Sequence, residues 1–316
     1  MGPRVSRGEF IELYEKHGLR ETARILKMGC AMVAQRRRTI ERDMGVEIIG
    51  PNGRGETTIP APRGESRIEL SVANGHVIIA SDCHYWPGET TVMHRALCSL
   101  ARELRPKAII LNGDVMDFPR ASRYAPIGWE HRPELVDEIE WAQEKVHEIA
   151  KAAGRCEKIW ALGNHDARFE TRLASLAPEY AKIHGVHLQD HFPLYRPAWS
   201  VFINGEVLVK HRFRGGIHAV HNNLLWSGTH IVTGHLHSAQ VRALTLYNER
   251  TIWGMDTGCV AEPSARAFVD YTEDNPKNWR SAFGVLTFRD GRLMMPELVL
   301  RWTERSVQFR GEIIAA

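Results

Sequence analysis

Asp82-Cys83-His84, Gly113-Asp114-Val115-Met116-Asp117, Gly163-Asn164-His165-Asp166, His211 and Gly234-His235-Leu236-His237 follow one another along a chain of 316 residues. Each block comes directly after an apolar run. Carboxylates and an asparagine carbonyl suit hard cations, and imidazoles suit zinc, iron, manganese or nickel. The mixture points to transition-metal ions more than to calcium or magnesium alone. Asp-x-His sends two ligands to one side of an extended backbone, because side chains alternate. By the same alternation Cys83 points away and is a spacer. The blocks hold enough ligands for two ions sharing one carboxylate, an arrangement suited to cleaving phosphate esters.

Such ligands need rigid strands to aim them. Val77–Ala80, Ala108–Leu111 and Lys158–Leu162 read as buried strands leading into Asp82, Asp114 and Asn164. Helices are expected over Thr90–Leu104, stopped by Pro106, and over Pro133–Ala152. Trp199–Ile203 and Glu206–Lys210 flank Asn204-Gly205, the signature of a hairpin that ends at His211. Ile231–Thr233 is a short strand before His235. Arg67–Val72 alternates, and Ala73-Asn74-Gly75 predicts a hairpin turn into His76–Ala80. From about Gln240 the tail reads as strands around Asn248-Glu249 and Asp290-Gly291. Strand-helix alternation followed by hairpins predicts two sheets packed face to face, with helices outside.

The first 44 residues carry ten Lys/Arg against six Asp/Glu, and the remainder carries 31 against 32. Three short helices are expected here, over residues 8–16, 19–27 and 31–43. His17-Gly18 breaks the first and Met28-Gly29-Cys30 turns into the third. Phe10, Leu13, Tyr14, Ala23, Leu26, Val33, Ile40 and Met44 form the apolar side, with Gln35-Arg36-Arg37-Arg38 turned outward. Two helices joined by a glycine turn, the second basic, resemble a helix-turn-helix module. That implies DNA as a partner through Arg36, Arg37 and Arg38. A plain helical hairpin with solvated arginines is the alternative. The boundaries expected are 1–45 for this unit, 46–66 for a Gly/Pro-rich linker and 67–316 for the remainder.

Hydrophobic residues make up 43% and charged residues 25% of the chain, with a net charge of +3. These values fit a globular protein with a sizeable core. Five scattered cysteines without a Cys-x-x-Cys pair argue against a disulfide framework or a zinc finger. No apolar stretch reaches the ~18–20 residues of a membrane span. A cytoplasmic protein without a membrane partner is expected. Helix-turn-helix modules often pair, which makes a homodimer plausible.

The five blocks, in this order between Ser81 and His237, resemble the calcineurin-like metallophosphoesterase superfamily. Its pattern is Asp-x-His, Gly-Asp, Gly-Asn-His-Asp/Glu, His and Gly-His-x-His, and the resemblance spans roughly residues 70–260. It implies an α/β fold, a four-layer α/β/β/α sandwich, with the small all-α unit in front. It also implies two divalent transition-metal ions, manganese favoured over iron, zinc or nickel. Asp82, His84, Asp114 and His237 would hold the first. Asn164, His211 and His235 would hold the second, with Asp114 bridging. A bridging hydroxide would attack phosphorus in line. His165 would protonate the leaving oxygen or steady the transition-state charge, and Asp166 would orient its ring. Asp117 reads as support for the ligands, with a solvated loop position as the alternative.

Trp86, Phe118, Arg120, Arg123, Arg168, Arg212 and Arg214 lie beside the metal blocks. They suit phosphates and bases, and equally suit the capping of core edges. The function expected is a metal-dependent phosphodiesterase or nuclease acting on DNA. The alternatives are a phosphomonoesterase or nucleotide phosphatase, and a DNA-binding regulator without catalysis.

Overall fold

The computed structural model describes residues 5–46, 48, 50–51, 66–265, 268, 272–273, 275 and 277–316. Residues 1–59 and 60–316 form two compact units. Most of the expected linker, residues 52–65, lies outside the described residues.

The first unit contains α1 (Arg7–Ile25) and α2 (Cys30–Met44). Ser6 caps α1, and Glu9 reaches back to the Ser6 N–H, so two otherwise unpaired backbone donors are satisfied. Gly18, at φ 70° and ψ −179°, kinks α1 where the sequence predicts a break. Phe10, Tyr14, Ala23, Leu26, Val33, Ile40 and Ile48 form the core. Met44 is exposed, and Ile48 is the residue beyond the helix that fills the core. The three arginines do not share an outward face. Arg36 lies over Phe10 and donates to the Val5 carbonyl, and Arg37 lies over Tyr14. Consecutive residues step about 100° around a helix, so only part of such a run faces solvent. Arg38 is the exposed member.

The second unit contains, in chain order, β1 (Ile68–Leu70), β2 (Gly75–Ala80), α3 (Val92–Leu104), β3 (Ala108–Asn112), α4 (Leu135–Ala153), β4 (Glu157–Ala161), α5 (Asp166–Leu176), α6 (Leu188–His191) and β5 (Arg196–Ala198). There follow β6 (Val201–Ile203), β7 (Val207–Val209), α7 (Ala219–Ser227), β8 (His230–Thr233), β9 (Gln240–Thr245) and β10 (Thr251–Asp256). The tail adds β11 (Ala282–Arg289), β12 (Arg292–Leu293), β13 (Glu297–Thr303), β14 (Ser306–Phe309) and β15 (Glu312–Ala315). One sheet has the order β1-β6-β7-β8-β10-β9, and the other β15-β14-β13-β11-β2-β3-β4-β5 with β12 beside β11.

Strand alternation makes the layers. Val77, Ile79, Ala108 and Ile110 face the second sheet, meeting Val201, Val207, Val209 and Val232. Ile78, Ala80, Ile109 and Leu111 face the other way, into a core shared with Leu97 of α3 and Val146 of α4. Leu224 of α7 covers Ile231 and Ile252 on the outer face of the smaller sheet. The result is the four-layer α/β/β/α sandwich. Each of these large apolar side chains contributes about 1.5–3 kcal/mol on burial. No helix among the described residues is long and apolar enough to cross a membrane.

The Asn204-Gly205 hairpin forms as expected, with Val201 opposite Val209 and positive φ at both turn residues. The turn at Ala73-Asn74-Gly75 does not make a hairpin. β1 pairs with β6 in one sheet, and β2 pairs with β3 and β11 in the other. Asn204 holds the end of β1 on its own sheet: its side chain accepts from the Val72 N–H and donates to the Val72 carbonyl.

Candidate metal centre

β2, β3 and β4 run parallel, as do β7 and β8. Their C-terminal ends therefore project consecutive loops toward one edge of the sandwich. Asp82 and His84 follow β2, Asp114 follows β3, Asn164 and His165 follow β4, His211 follows β7, and His235 and His237 follow β8. Backbone hydrogen bonds lock the loops together: Asp82 N to Gly113 O (2.9 Å), His84 N to Asp114 O (3.0 Å) and Gly234 N to His211 O (3.0 Å).

Asp82, His84, Asp114, His235 and His237 all have positive φ, between 40° and 72°. Such backbone costs about 1–3 kcal/mol per residue and persists only where its surroundings enforce it. The motif glycines show the crowding. A Cβ on Gly163 would strike the Asp114 carboxylate, and one on Gly113 would strike the His211 ring.

The side chains converge as two groups. Asp82, His84 and His237 bring their ligand atoms within 4.8 Å of one another, as do Asp114, His211 and His235. These donors fit a pair of metal ions. Buried His84 Nε2, His211 Nε2 and Asn164 Oδ1 make no hydrogen bond among the described residues. His211 Nε2 stands 3.1 Å from Asp114 Oδ2, outside hydrogen-bond geometry. Two ligands aimed at one point give that contact. The opposite ring nitrogens are held: His211 Nδ1 donates to the Asn112 carbonyl at 2.7 Å, and His84 Nδ1 pairs with Asp117 at 3.1 Å. Tying one nitrogen leaves the other for an ion.

The electrostatics agree. Burial acts to raise the Asp114 pKa, and His211 and His165 outweigh it, holding the carboxyl well below its usual range. Burial acts to lower His211, and Asp114 with Asp82 push it up to about 10. His235 is driven down to about 4 by burial and by His211. The carboxylates thus remain ionised as ligands, and a dication would replace the proton as their partner. Cys83 packs into the helix-side core, away from the ligands, and burial pushes its thiol up.

The geometry corrects the expectation for Asp166. Its carboxylate accepts the N–H groups of Gly163, Asp114 and Val115 and the Trp160 indole, at 2.8–3.0 Å. It staples the Asp114 and Asn164 loops together and does not touch the His165 ring. Asp117 holds that ring instead, with Oδ1 2.8 Å from His165 Nδ1. One carboxylate therefore orients two histidines. Asp166 opens α5, and its side chain turns back beneath the loop toward these backbone donors.

Arg168, which the sequence marks as suiting a phosphate or a core edge, donates to His165 Nε2 at 3.0 Å and to the Asp117 carbonyl at 2.7 Å. It stands one turn along α5 from His165, and i and i+3 share a helix face. Two contributors escape the sequence reading. Phe268 packs edge-on against His84 and His237, and Trp279 against His237. No local spacing in the tail announces either aromatic.

Residues 75–260 match the family model described as calcineurin-like phosphoesterase. The Gene 54 protein of Mycobacterium phage L5 is 24% identical over 248 residues, covering 71% of this chain and 92% of that protein. The Gene 54 protein of Mycobacterium phage D29 is 24% identical over 249 residues, with the same coverage. Among solved structures, a protein serine/threonine phosphatase from Saccharomyces cerevisiae aligns with a TM-score of 0.38 at 12% identity, over 78% of this chain and 87% of that one. Nuclease MPE from Pseudomonas putida aligns with a TM-score of 0.30 at 12% identity, over 71% and 84%. Both structural likenesses are too distant to carry weight. The family match covers more than half of the chain and contains every ligand block, so this protein belongs to the calcineurin-like phosphoesterase family and is a metal-dependent phosphoester hydrolase.

Proposed function

We propose that the chain is a two-metal phosphodiesterase that cuts DNA, with the N-terminal helical unit binding the substrate. The observation that carries this reading is the pair of three-residue groups around unpartnered ligand atoms. We assign Asp82, His84, Asp114 and His237 to one ion, and Asn164, His211 and His235 to the other, with Asp114 shared. Manganese suits this mixed oxygen and nitrogen set, with zinc, iron and nickel as alternatives.

Bound divalent cations supply a nucleophile from water at neutral pH and offset charge growing on the phosphoryl oxygens. Asp117 sets the His84 ring for coordination and fixes the His165 ring beside Asp114. The His165 side chain is 18% exposed, the most open of these rings to pair with a carboxylate of the centre, so it can meet a substrate. Burial acts to lower its pKa, and Asp114 and Asp117 outweigh that. Asp117 holds Nδ1, so Nε2, which accepts from Arg168 here, is the nitrogen that would pass a proton to the leaving oxygen once substrate displaces Arg168. Arg168 beside it adds fixed positive charge where negative charge develops.

Ala31, Gln35, Arg38 and Arg42 are exposed at spacings of four, three and four along α2, forming one face. That face supports a DNA-reading helix, with Arg38 and Arg42 toward phosphates. Such tethering raises the local concentration of DNA at a modest active site.

With manganese, bis-p-nitrophenyl phosphate is expected to be hydrolysed faster than p-nitrophenyl phosphate. The opposite order identifies a phosphomonoesterase. Arg38→Glu is expected to lower plasmid nicking about tenfold at moderate salt, since phosphate contacts are salt-dependent. Unchanged nicking in that variant refutes the delivery role and leaves the chemistry standing.

A further inference from the structure

Between the metal centre and α4 the chain makes a long loop, residues 118–134, whose middle is exposed. An open cleft of about 760 Å³ lies there, lined among others by Arg120, Arg123, Tyr124, His131, Arg132 and Arg172. Its lining holds four arginines against a single glutamate, Glu130. Two of the arginines brace the loop. Arg120 pairs with Glu134 at 2.6 Å, and Arg132 pairs with Glu130 at 2.7 Å and donates to the Pro119 carbonyl. The other two are different. Arg123 and Arg172 are exposed, and neither pairs with a carboxylate among the described residues. Arg123 instead donates to the Tyr124 hydroxyl at 3.0 Å and lies over its ring at 5.1 Å. Tyr124 is 65% exposed, and Trp129 on the same loop is 80% exposed.

Two observations place this cleft beside the metal centre. Arg172, in its lining, stands one turn of α5 beyond Arg168, which is bonded to His165. His131 stands 6.3 Å, ring to ring, from Trp86, two residues after His84. Unpaired cations around an exposed aromatic suit a phosphate joined to a flat, stackable group. A compact phosphomonoester held at the metals would leave this cleft without a task. A polymer with a repeating phosphate would fill it.

We propose that this cleft is a subsite for the nucleotide next to the scissile bond of a nucleic-acid strand. Arg123 and Arg172 take its phosphate, and Tyr124 stacks on its base. The proposal rests on the DNA phosphodiesterase reading above and names the element that makes the site prefer a polymer to a small diester.

The test compares two substrates in the full-length manganese-loaded protein. One is the p-nitrophenyl ester of thymidine 5′-phosphate, which has no flanking phosphate. The other is a short oligonucleotide, offered single-stranded and double-stranded. Arg123→Ala combined with Arg172→Ala is expected to lower kcat/KM on the oligonucleotide about 10- to 100-fold, through KM. The slope of log KM against log salt should flatten by about one, for the single phosphate the two arginines share. The thymidine ester should lose far less. Arg123→Lys with Arg172→Lys should recover most of the salt slope, because the charges return without the planar fork. Equal losses on both substrates would overturn the subsite, as would an oligonucleotide KM that does not move. If the wild-type protein cleaves the thymidine ester and no oligonucleotide, the DNA reading itself fails and the subsite falls with it.

Discussion

Asp82, His84, Asp114 and His237 are at most 5% exposed and stand on backbone of positive φ, whereas Tyr124 and Trp129 at the lip are 65% and 80% exposed. The floor is held by loop-to-loop hydrogen bonds, glycines without room for a Cβ, and a carboxylate that staples two loops. The lip is held by two ion pairs at the loop's base and carries arginines that pair with no carboxylate among the described residues. On the proposed reading the two regions divide the work: fixed geometry at the floor would set the reaction, and adaptable charge with exposed aromatic surface at the lip would set what is brought to it.

Substitutions sharpen that division, and the largest effect belongs to the floor. His165→Ala should keep its metals and lose about 10²–10⁴-fold in turnover, the worth of general-acid assistance. Steady-state kinetics beside metal analysis checks this, and normal turnover would remove His165 from the reaction. Asp117→Asn should cost about 10- to 100-fold in metal affinity or turnover while the melting temperature holds, because the residue orients rings and does not bind substrate. A collapse in stability without a kinetic defect would show that Asp117 belongs to the scaffold, as Asp166 does. The smallest effect should come from Trp129→Ala. Its stability should change by no more than about 0.5 kcal/mol in a urea titration, because the side chain is largely solvated. A larger loss would mean that the lip is packed like the floor.

The floor was also the legible part of the sequence. Ligand blocks were readable because each sits where a buried strand ends. α3 and α4 appeared within two residues of their expected limits, helped by Pro106 and by the apolar periodicity of α4. The Asn204-Gly205 turn was equally plain. What failed involved choices made in three dimensions. Asp117 lies three residues after Asp114 and Asp166 two after Asn164, and only the fold decides which carboxylate faces the histidines. The turn after Val72 reads as a hairpin locally, yet Asn204, 132 residues away, holds the end of β1 on the smaller sheet while β2 joins the other. Arg36 and Arg37 read as turned outward until Phe10 and Tyr14 offer them a surface within the unit. Phe268 and Trp279 reach the ligand histidines from a part of the tail with no spacing signal.

The most direct measurement is anomalous scattering from crystals of the full chain soaked in manganese, with metal content measured in solution. Two peaks should appear, one among Asp82, His84 and His237 and one among Asn164, His211 and His235, with Asp114 touching both. An absence of bound metal at saturating manganese, or peaks that leave Asp114 without an ion, would contradict the account.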